Sequence, residues 1–313
     1  LRYQQNNTNG PGQTSTQTAT GFLNYFGANT VSANTVGAGD AWILYQAIEG
    51  LNISDLNWGT NIASPVTLSF WVYSSIAGTH GGRICNSAQD RSYPFTYNIS
   101  SANTWQYQTV TIPGDTTGSW FSNNNIGMWV MYPLGVGSSL NGTNNTWSAG
   151  AFYPTGVVQE VSSANGAFYL TGVQLEKGTQ ATSFDFRHYT TELQLCQRYY
   201  QKTYEQGTVP ASASATNMTT IPVDGNASTN LNFISLFVPM RIAPSVSMWD
   251  AAGNSNAFSS YRGSWANNTT SSIQPSGYLS TTSWAVAYTG TPFSTGRPFS
   301  FHWIASAELN VQN

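Results

Sequence analysis

The sequence predicts an all-β protein that consists of an N-terminal jelly-roll β-sandwich, a short helical junction and a smaller C-terminal β-sandwich. Short runs of β-branched and aromatic residues recur along the chain, and Gly, Pro and Asn separate them. Aromatic residues make up 14% of the chain and include 11 Trp, which is enough large side chain to fill sandwich interiors. One segment, residues 190–200, has apolar residues at helical spacing, with Thr190 or Thr191 as the expected N-cap.

The apolar runs have the length and composition of strands in a sandwich or jelly roll. In the N-terminal part, the predicted strands are residues 42–48, 66–73, 107–112, 127–132 and 167–175. In the C-terminal part, the predicted strands are residues 232–239, 245–249, 283–288 and 298–307. Glycine and proline predict turns at residues 77–82, 113–118 and 135–138.

Alternation of side chains predicts the faces of two strands. The residues from Trp105 to Ile112 alternate strictly, so one face of this strand is expected to contact water. The run Thr67–Tyr73 is ambiguous, because Phe70 and Trp71 compete for the inward face. That pattern is typical of a strand that is covered on both sides.

The length of 313 residues exceeds that of a usual domain, so two cores are expected. Residues 1–38 are rich in Asn, Thr, Gln, Ser and Gly and predict a polar arm with a first strand near Phe22–Phe26. Residues 39–188 form the predicted jelly roll and residues 189–202 the helical junction. Residues 203–313 form the smaller sandwich.

The charge content excludes several classes of function. Only 7% of residues are charged and the net charge is −3, so the chain offers no electrostatic footprint for nucleic acid or an anionic membrane. No apolar stretch approaches the roughly 20 residues of a membrane span. No signal peptide opens the sequence, and the first residue is Leu, so we expect either a processed chain or part of a longer one.

The histidines, carboxylates and cysteines are not spaced as in known catalytic or metal-binding motifs. His80, His188 and His302 lie far apart and lack metal-ligand spacing. Glycan hydrolysis needs two carboxylates roughly 5 to 9.5 Å apart, and nothing in the spacing of the 13 Asp and Glu forces such a pair. Cys85 and Cys196 fall in different predicted domains, which excludes a disulfide framework. We therefore predict a protein that is not an enzyme and that needs no catalytic cofactor.

Tryptophan offers the clearest candidates for ligand binding, because the faces of sugars stack on aromatic rings while hydroxyls pair with amides. The candidates in polar or loop-like contexts are Trp58, Trp105, Trp120 and Trp147. Packing beneath a loop is the alternative role for each of them. The Trp residues in apolar strands, which are predicted to lie in the core, are Trp42, Trp71, Trp129, Trp249 and Trp303.

The segment from Thr171 to Lys202 contains three motifs. They are Gly-Val-Gln-Leu-Glu-x-Gly at 172–178, Ala-Thr-x-Phe-x-x-Arg at 181–187 and Glu-Leu-x-Leu-Cys-Gln-Arg-Tyr-Tyr at 192–200. This segment resembles one that recurs in bacteriophage tail-fibre and other minor virion proteins, although Asp185 replaces the more frequent Glu and His188 the frequent Pro. Residues 40–176 look like the galactose-binding-like jelly rolls of carbohydrate-binding modules.

The resemblance implies a virion structural protein, a fibre, spike or collar subunit that forms a homotrimer, contacts other virion proteins and attaches to a host-surface glycan. Capsid decoration, a polysaccharide depolymerase and a secreted carbohydrate-binding module are the alternatives. The jelly-roll resemblance also implies a structural Ca²⁺, for which Asp40, Glu49 and Glu176 are the candidate ligands. The 171–202 segment itself is interpreted as architecture rather than as a ligand contact.

Overall fold

The computed structural model describes residues 2–6, 19, 21–222, 230–261, 265–268, 273–275, 278–288 and 298–309. The chain divides into two compact units, Leu1–Phe186 (unit 1) and Arg187–Asn313 (unit 2). Nearly all regular structure is antiparallel β-strand, which confirms the predicted all-β class. No helix in these ranges is long and apolar enough to cross a membrane.

Unit 1 contains two five-stranded antiparallel sheets. In sheet A the spatial order is β1-β2-β12-β4-β7, with bounds Arg2–Asn6, Tyr25–Asn29, Ala167–Lys177, Val66–Ser74 and Gln106–Ile112. In sheet B the order is β10-β6-β5-β8-β3, with bounds Ser148–Ala149, Arg91–Ile99, Gly78–Asn86, Ile126–Val136 and Ala41–Glu49. A short parallel pair joins β9 (Asn141–Gly142) to β11 (Tyr153–Pro154). Single 3₁₀ turns occupy Gly50–Asn52, Ser54–Leu56, Ser138–Leu140 and Glu160–Ser162.

Strand β4 lies near the middle of sheet A, with β12 on one side and β7 on the other. Its even-numbered side chains fill the interior between the sheets, and Phe70 meets the rings of Tyr97 and Tyr132 edge-on at 5.1 and 5.3 Å. The structure thus resolves the competition for the inward face in favour of Phe70. The prediction that Trp71 lies in the core is wrong, because period-2 alternation places it on the outer face, where it is half-buried.

The remaining strand tryptophans differ in burial. Trp129 and Trp303 are 2% and 1% exposed, as predicted for core residues. Trp42 is partly buried and packs against the main core of unit 1, and Trp249 is half-buried. Both cysteines are free, Cys85 in the interior and Cys196 at the surface.

The predicted turn at residues 77–82 is wrong, because strand β5 begins at Gly78. Its glycines are required by packing instead of by a turn. A Cβ at Gly81 would lie 2.5 Å from Pro154, and one at Gly82 would lie 2.3 Å from the ring of Phe95. The predicted turn at 135–138 is likewise displaced, since β8 continues through Val136. The sequence-based interpretation also missed β6 (Arg91–Ile99).

Unit 2 begins with helix α1 (Tyr189–Gln197), none of whose nine residues is buried. The N-cap is His188, whose side chain accepts a hydrogen bond from the Thr190 amide at 3.4 Å, so the expected Thr cap is wrong. The helix therefore starts two residues earlier than a cap at Thr190 would allow.

The strands of unit 2 pack around a second core that includes Trp284, Phe301 and Trp303. One sheet has the order β13-β21-β17-β18, with β14 and β16 also paired to β21, and another has the order β15-β20-β19. The bounds of β13 to β17 are Tyr200–Lys202, Thr219–Ile221, Asn230–Ser235, Ser245–Trp249 and Phe258–Tyr261. Those of β18 to β21 are Trp265–Asn268, Ile273–Pro275, Ser283–Tyr288 and Phe299–Ser306.

Part of the predicted polar arm, residues 1, 7–18 and 20, lies outside the described residues. The first strand expected near Phe22–Phe26 is β2, which begins at Tyr25 and pairs with β1 and β12.

Replacement of Gly82 by Ala tests the role of glycine in β5. The added Cβ meets the fully buried Phe95 ring and lies 2.8 Å from the Met131 carbonyl oxygen, so neighbouring groups must shift. Overpacking of this kind costs about 1–3 kcal/mol, and we expect urea unfolding to show that loss. Gly39→Ala is the matched control, because nothing lies within 4 Å of its added Cβ. Equal stability of the two variants would contradict the packing requirement.

Candidate functional site

The outer face of sheet A carries two neighbouring aromatic rings. Trp71 of β4 and Tyr107 of β7 are cross-strand partners, and their ring centroids lie 5.5 Å apart at 49°. Tyr107 is 45% exposed. Both rings face outward because the even-numbered residues of β4 occupy the interior.

The chain folds back over these rings and makes a cleft of about 340 Å³, which we call the sheet A cleft. Its lining residues are Phe22, Ser69, Trp71, Tyr107, Gly172, Thr182, Ser183 and Phe184. Phe22 packs edge-on against Phe184, with 5.0 Å between the ring centroids. A β-bulge in β12 permits this contact, since Gly172 has φ +56° and a Cβ there would lie 2.4 Å from the Phe22 ring. The 171–202 segment thus contributes to a cleft, which the sequence-based interpretation did not foresee.

Two outward side chains of β12 hold the returning segment in place. Gln174 accepts a hydrogen bond from the Asp185 amide at 2.8 Å and donates to the Ser183 carbonyl at 3.3 Å. Glu176 accepts a hydrogen bond from the Thr182 amide at 3.0 Å and another from the Thr182 hydroxyl. Desolvation opposes ionisation of Glu176, but the hydrogen bonds from Thr182 and Gln174 outweigh it and lower the pKa. Glu176 therefore anchors the wall of the cleft as a carboxylate.

The cleft offers stacking rings and hydroxyl groups. Ser69, Thr182 and Ser183 supply hydroxyls, and Tyr107 supplies a phenol. None of its eight lining residues is charged. Such a surface can stack and hydrogen-bond a neutral polar ligand, but its lining provides no acid or base for proton transfer.

One of the four candidate tryptophans adjoins this face. Trp105 lies two residues before Tyr107 and packs at 5.7 Å from Tyr73 and at 6.1 Å from Tyr25. Tyr73 and Tyr169 stack on each other at 5.3 Å. These rings extend the aromatic surface of sheet A beyond the cleft.

The other three candidates, Trp58, Trp120 and Trp147, pack against one another. Their centroids lie 4.6, 5.4 and 5.7 Å apart, and all three pairs meet edge-to-face. Trp58 is 7% exposed and donates its indole N–H to the Ser64 carbonyl at 2.7 Å. Trp147 donates its indole N–H to the Pro113 carbonyl at 2.8 Å.

A partly buried ion pair supports this tryptophan cluster. Arg91 makes two hydrogen bonds to Asp115, from Nε at 2.9 Å and from Nη2 at 2.6 Å. The Asp115 hydrogen bond raises the pKa of Arg91 further. Asp115 also accepts the indole N–H of Trp120 at 3.3 Å, and the Arg91 guanidinium lies 5.8 Å from the Trp147 ring. The cluster thus ties several loops together.

The three candidate calcium ligands do not converge. Asp40 precedes β3 and accepts the Gly37 amide at 2.9 Å, whereas Glu49 ends the same strand and is 1% exposed. Nine residues of strand separate their backbones by roughly 30 Å. Glu176 lies on the other sheet and binds Thr182. In the described ranges, no group of three or more His, Cys, Asp or Glu could hold a metal ion.

A serine, a histidine and a glutamate do meet inside unit 1. The Ser74 hydroxyl donates to Glu160 Oε1, and His80 Nδ1 lies 3.9 Å from the same oxygen. His80 Nε2 lies 3.0 Å from the Ile76 carbonyl. The predicted loop position of His80 is wrong, since it is 3% exposed in β5. The histidine does not contact the serine oxygen as a general base would, so this cluster lacks the geometry of nucleophilic catalysis.

Burial controls the titration of this cluster. Desolvation raises the pKa of Glu160 to about 7, although the Ser74 hydrogen bond opposes the rise. Desolvation lowers the pKa of His80, and the hydrogen bond to Ile76 opposes that change. Tyr97 is the other titratable group nearby, and desolvation raises its pKa well above the usual value. The carboxyl of Glu160 is therefore protonated, and neutral, at mildly acidic pH.

No protein-family model matches the chain, and no curated protein matches it. Among solved structures, the chain is similar to the N-terminal cellulose-binding domain of β-1,4-glucanase C from Cellulomonas fimi (14% identity, 57% of this chain and 90% of that chain, TM-score 0.26). It is also similar to the PBSX exported protein XepA (11% identity, 89% and 85%, TM-score 0.18).

A third similar structure is titled as the triple jelly roll fold and turret assembly in an archaeal virus (9% identity, 91% of this chain and 60% of that chain, TM-score 0.21). A cellulose-binding domain and a viral jelly-roll protein are thus both among the similar structures. Identities of 14% or less and TM-scores of 0.26 or less leave the function to be argued from this chain's own residues.

Replacement of Glu160 by Gln tests the buried cluster. Because the folded-state pKa of Glu160 is about 7 against 4.5 unfolded, its stabilising contribution is complete below about pH 4.5 and is lost as pH rises through 7. His80 has the opposite sign, because its pKa is lowered and its contribution is lost as pH falls. The free energy of unfolding of E160Q minus that of wild type should therefore rise by roughly 2 kcal/mol from pH 5 to pH 8, as measured by urea unfolding.

Glu192→Gln, at an exposed position in α1, is the control and should show a nearly constant difference over the same range. A constant difference for E160Q would contradict the raised pKa.

Proposed function

We propose that this chain is a non-catalytic β-sandwich protein of a virion surface that binds a neutral glycan of the host surface through the sheet A cleft. The observation that carries the proposal is the pairing of Trp71 with Tyr107 on the outer face of sheet A, beneath a wall that supplies hydroxyl groups.

The chemistry of the cleft suits a sugar. Pyranose rings present C–H faces that stack on aromatic side chains, and their hydroxyls pair with hydroxyl and carbonyl groups at the rim. The exposed hydroxyls of Thr182 and Ser183 lie beside the rings of Trp71 and Tyr107. The uncharged lining favours a neutral sugar, because a charged one would lose hydration without gaining an ion pair.

The same lining supports binding instead of hydrolysis. Glycoside hydrolysis uses two carboxylates that flank the scissile bond. The cleft lining contains no carboxylate. Glu176 lies behind the wall and already accepts hydrogen bonds from the amide and hydroxyl of Thr182. We therefore propose a cleft that holds a glycan without cleaving it.

The location on a virion rests on the resemblance of residues 171–202 to phage minor virion proteins. Part of that segment, residues 182–184, lines the cleft, so the resemblance and the proposed binding face involve the same stretch of chain. The low charge suits repeated contacts with other copies and with other virion proteins, because burial of neutral polar groups costs less than burial of unpaired charges. A homotrimer remains part of this proposal.

Replacement of the two stacking rings tests the proposal. Trp71→Ala and Tyr107→Ala should each weaken binding about tenfold, since loss of one stacking ring costs roughly 0.5–1.5 kcal/mol beyond the buried area. A panel of purified host capsule, O-antigen and cell-wall oligosaccharides would identify the best glycan by array, and calorimetry would give its affinity for each variant.

Tyr45→Ala is the matched control, because Tyr45 is 50% exposed on β3 of the other sheet and lies outside the sheet A cleft. It should bind the glycan as wild type does. If Trp71→Ala and Tyr107→Ala also bound the glycan with wild-type affinity, the cleft would be excluded as the site. Release of reducing ends from the glycan would contradict the non-catalytic proposal.

A further inference from the structure

Arg83 is a buried cation on the outer face of sheet B. It lies on β5, between Pro94 of β6 and Met131 of β8, and it is 1% exposed. Its neighbour Ile84 belongs to the core between the sheets, so Arg83 points away from that core. Tyr153 of β11 covers it, with the guanidinium carbon 3.9 Å from the ring centroid.

The guanidinium has contacts but no negative charge among the described residues. Nη2 donates to the Gln89 amide oxygen, and Nε lies 3.2 Å from the Met131 sulfur. Nη1 is buried and has no hydrogen-bond partner there. An unpaired buried cation is costly, because its hydration is lost without compensation. An anion bound at this guanidinium would supply the missing negative charge and a hydrogen-bond acceptor for Nη1.

The neighbouring ionisable groups cannot supply that charge. Burial raises the pKa of the Cys85 thiol to about 11 and that of the Tyr153 phenol to about 12, so both stay neutral. Two other arginines differ in this respect. Arg91 has Asp115 beside it, and Arg241 donates to the Ala307 and Glu308 carbonyls at 2.8 and 3.1 Å.

Gln89, which accepts the hydrogen bond from Arg83 Nη2, has a strained backbone conformation. Gln89 lies in the turn between β5 and β6 with φ +57°, the left-handed region that few residues other than glycine adopt. This residue is half-buried at the protein surface, and its amide oxygen is the acceptor for Arg83. Strained residues of this kind often lie at ligand sites. Displacement of this amide oxygen would free Nη2 of the guanidinium for another acceptor.

We propose that Arg83 is a binding site for an oxyanion, the carboxylate of an acidic saccharide, which displaces the Gln89 amide oxygen and pairs with both terminal nitrogens of the guanidinium. Arginine binds carboxylates through two parallel hydrogen bonds, so the ligand would satisfy Nη1 and Nη2 together. The Tyr153 ring already holds the guanidinium plane in place. The site lies on sheet B and is independent of the neutral glycan proposed for sheet A.

Arg83→Met provides the test in the full chain. The probes are a galacturonic acid trimer and the matched neutral galactose trimer, with inorganic phosphate as a competitor, all measured by calorimetry. Wild type should bind the acidic trimer at least tenfold more tightly than the neutral one, and phosphate should compete. R83M should lose this preference and keep or raise its melting temperature, because the variant removes an uncompensated buried charge.

Two further variants complete the design. Gln89→Gly retains Arg83, removes the competing acceptor and suits the left-handed backbone, so the acidic trimer should bind several-fold more tightly. Lys177→Met removes one exposed positive charge elsewhere and should leave binding unchanged. Equal binding of the two trimers by wild type and by Q89G would overturn the proposal. Binding of phosphate without the acidic trimer would overturn its assignment to a saccharide.

Discussion

The register of strand β4 determines both the interior and the proposed binding face of unit 1. Val66, Leu68, Phe70 and Val72 are all fully buried between the two sheets. A shift by one residue would send Trp71 inward and Phe70 outward, because side chains alternate with a period of two. Both neighbours of β4 fix the register, since β12 and β7 pair with it along nearly its whole length. The outward position of Trp71 is thus a consequence of the core.

Charged residues are scarce in this protein, and several of them lie in the interior. The chain has 10 Lys and Arg and 13 Asp and Glu. Six of them are buried in the described part of the chain, namely Glu49, Arg83, Asp115, Glu160, Arg241 and Asp250. Asp250 illustrates a satisfied case, because its carboxylate accepts the Ala252 and Asn254 amides at 2.9 Å. Arg83 and Glu160 differ from it, because each keeps a buried atom without a hydrogen-bond partner among the described residues.

Local patterns in the sequence predicted the strands that bury apolar side chains on a regular repeat, such as β4, β7 and β21. They failed for β5, because a run of glycines is typical of a turn. The structure explains Gly81 and Gly82 by the close packing of Pro154 and Phe95, which belong to other strands. The local patterns also failed for the sheet A cleft. Trp71 and Tyr107 are 36 positions apart, and only the pairing of β4 with β7 makes them neighbours. Of the four candidate tryptophans, Trp105 alone adjoins that face, since sequence context does not distinguish an open ring from one packed under a loop.

The structure of the cleft explains the residues of the motif at 172–178. Its glycine allows the bulge against Phe22, and its valine and leucine alternate with Gln174 and Glu176. The alternation sends both polar side chains to the outer face, where they bind the amide and carbonyl groups of residues 182–185. The strand therefore packs Leu175 against the core of unit 1 on one face and fastens the wall of the cleft on the other. A substitution at Gln174 or Glu176 would therefore change the proposed glycan binding indirectly, through the position of the wall that contains Phe184.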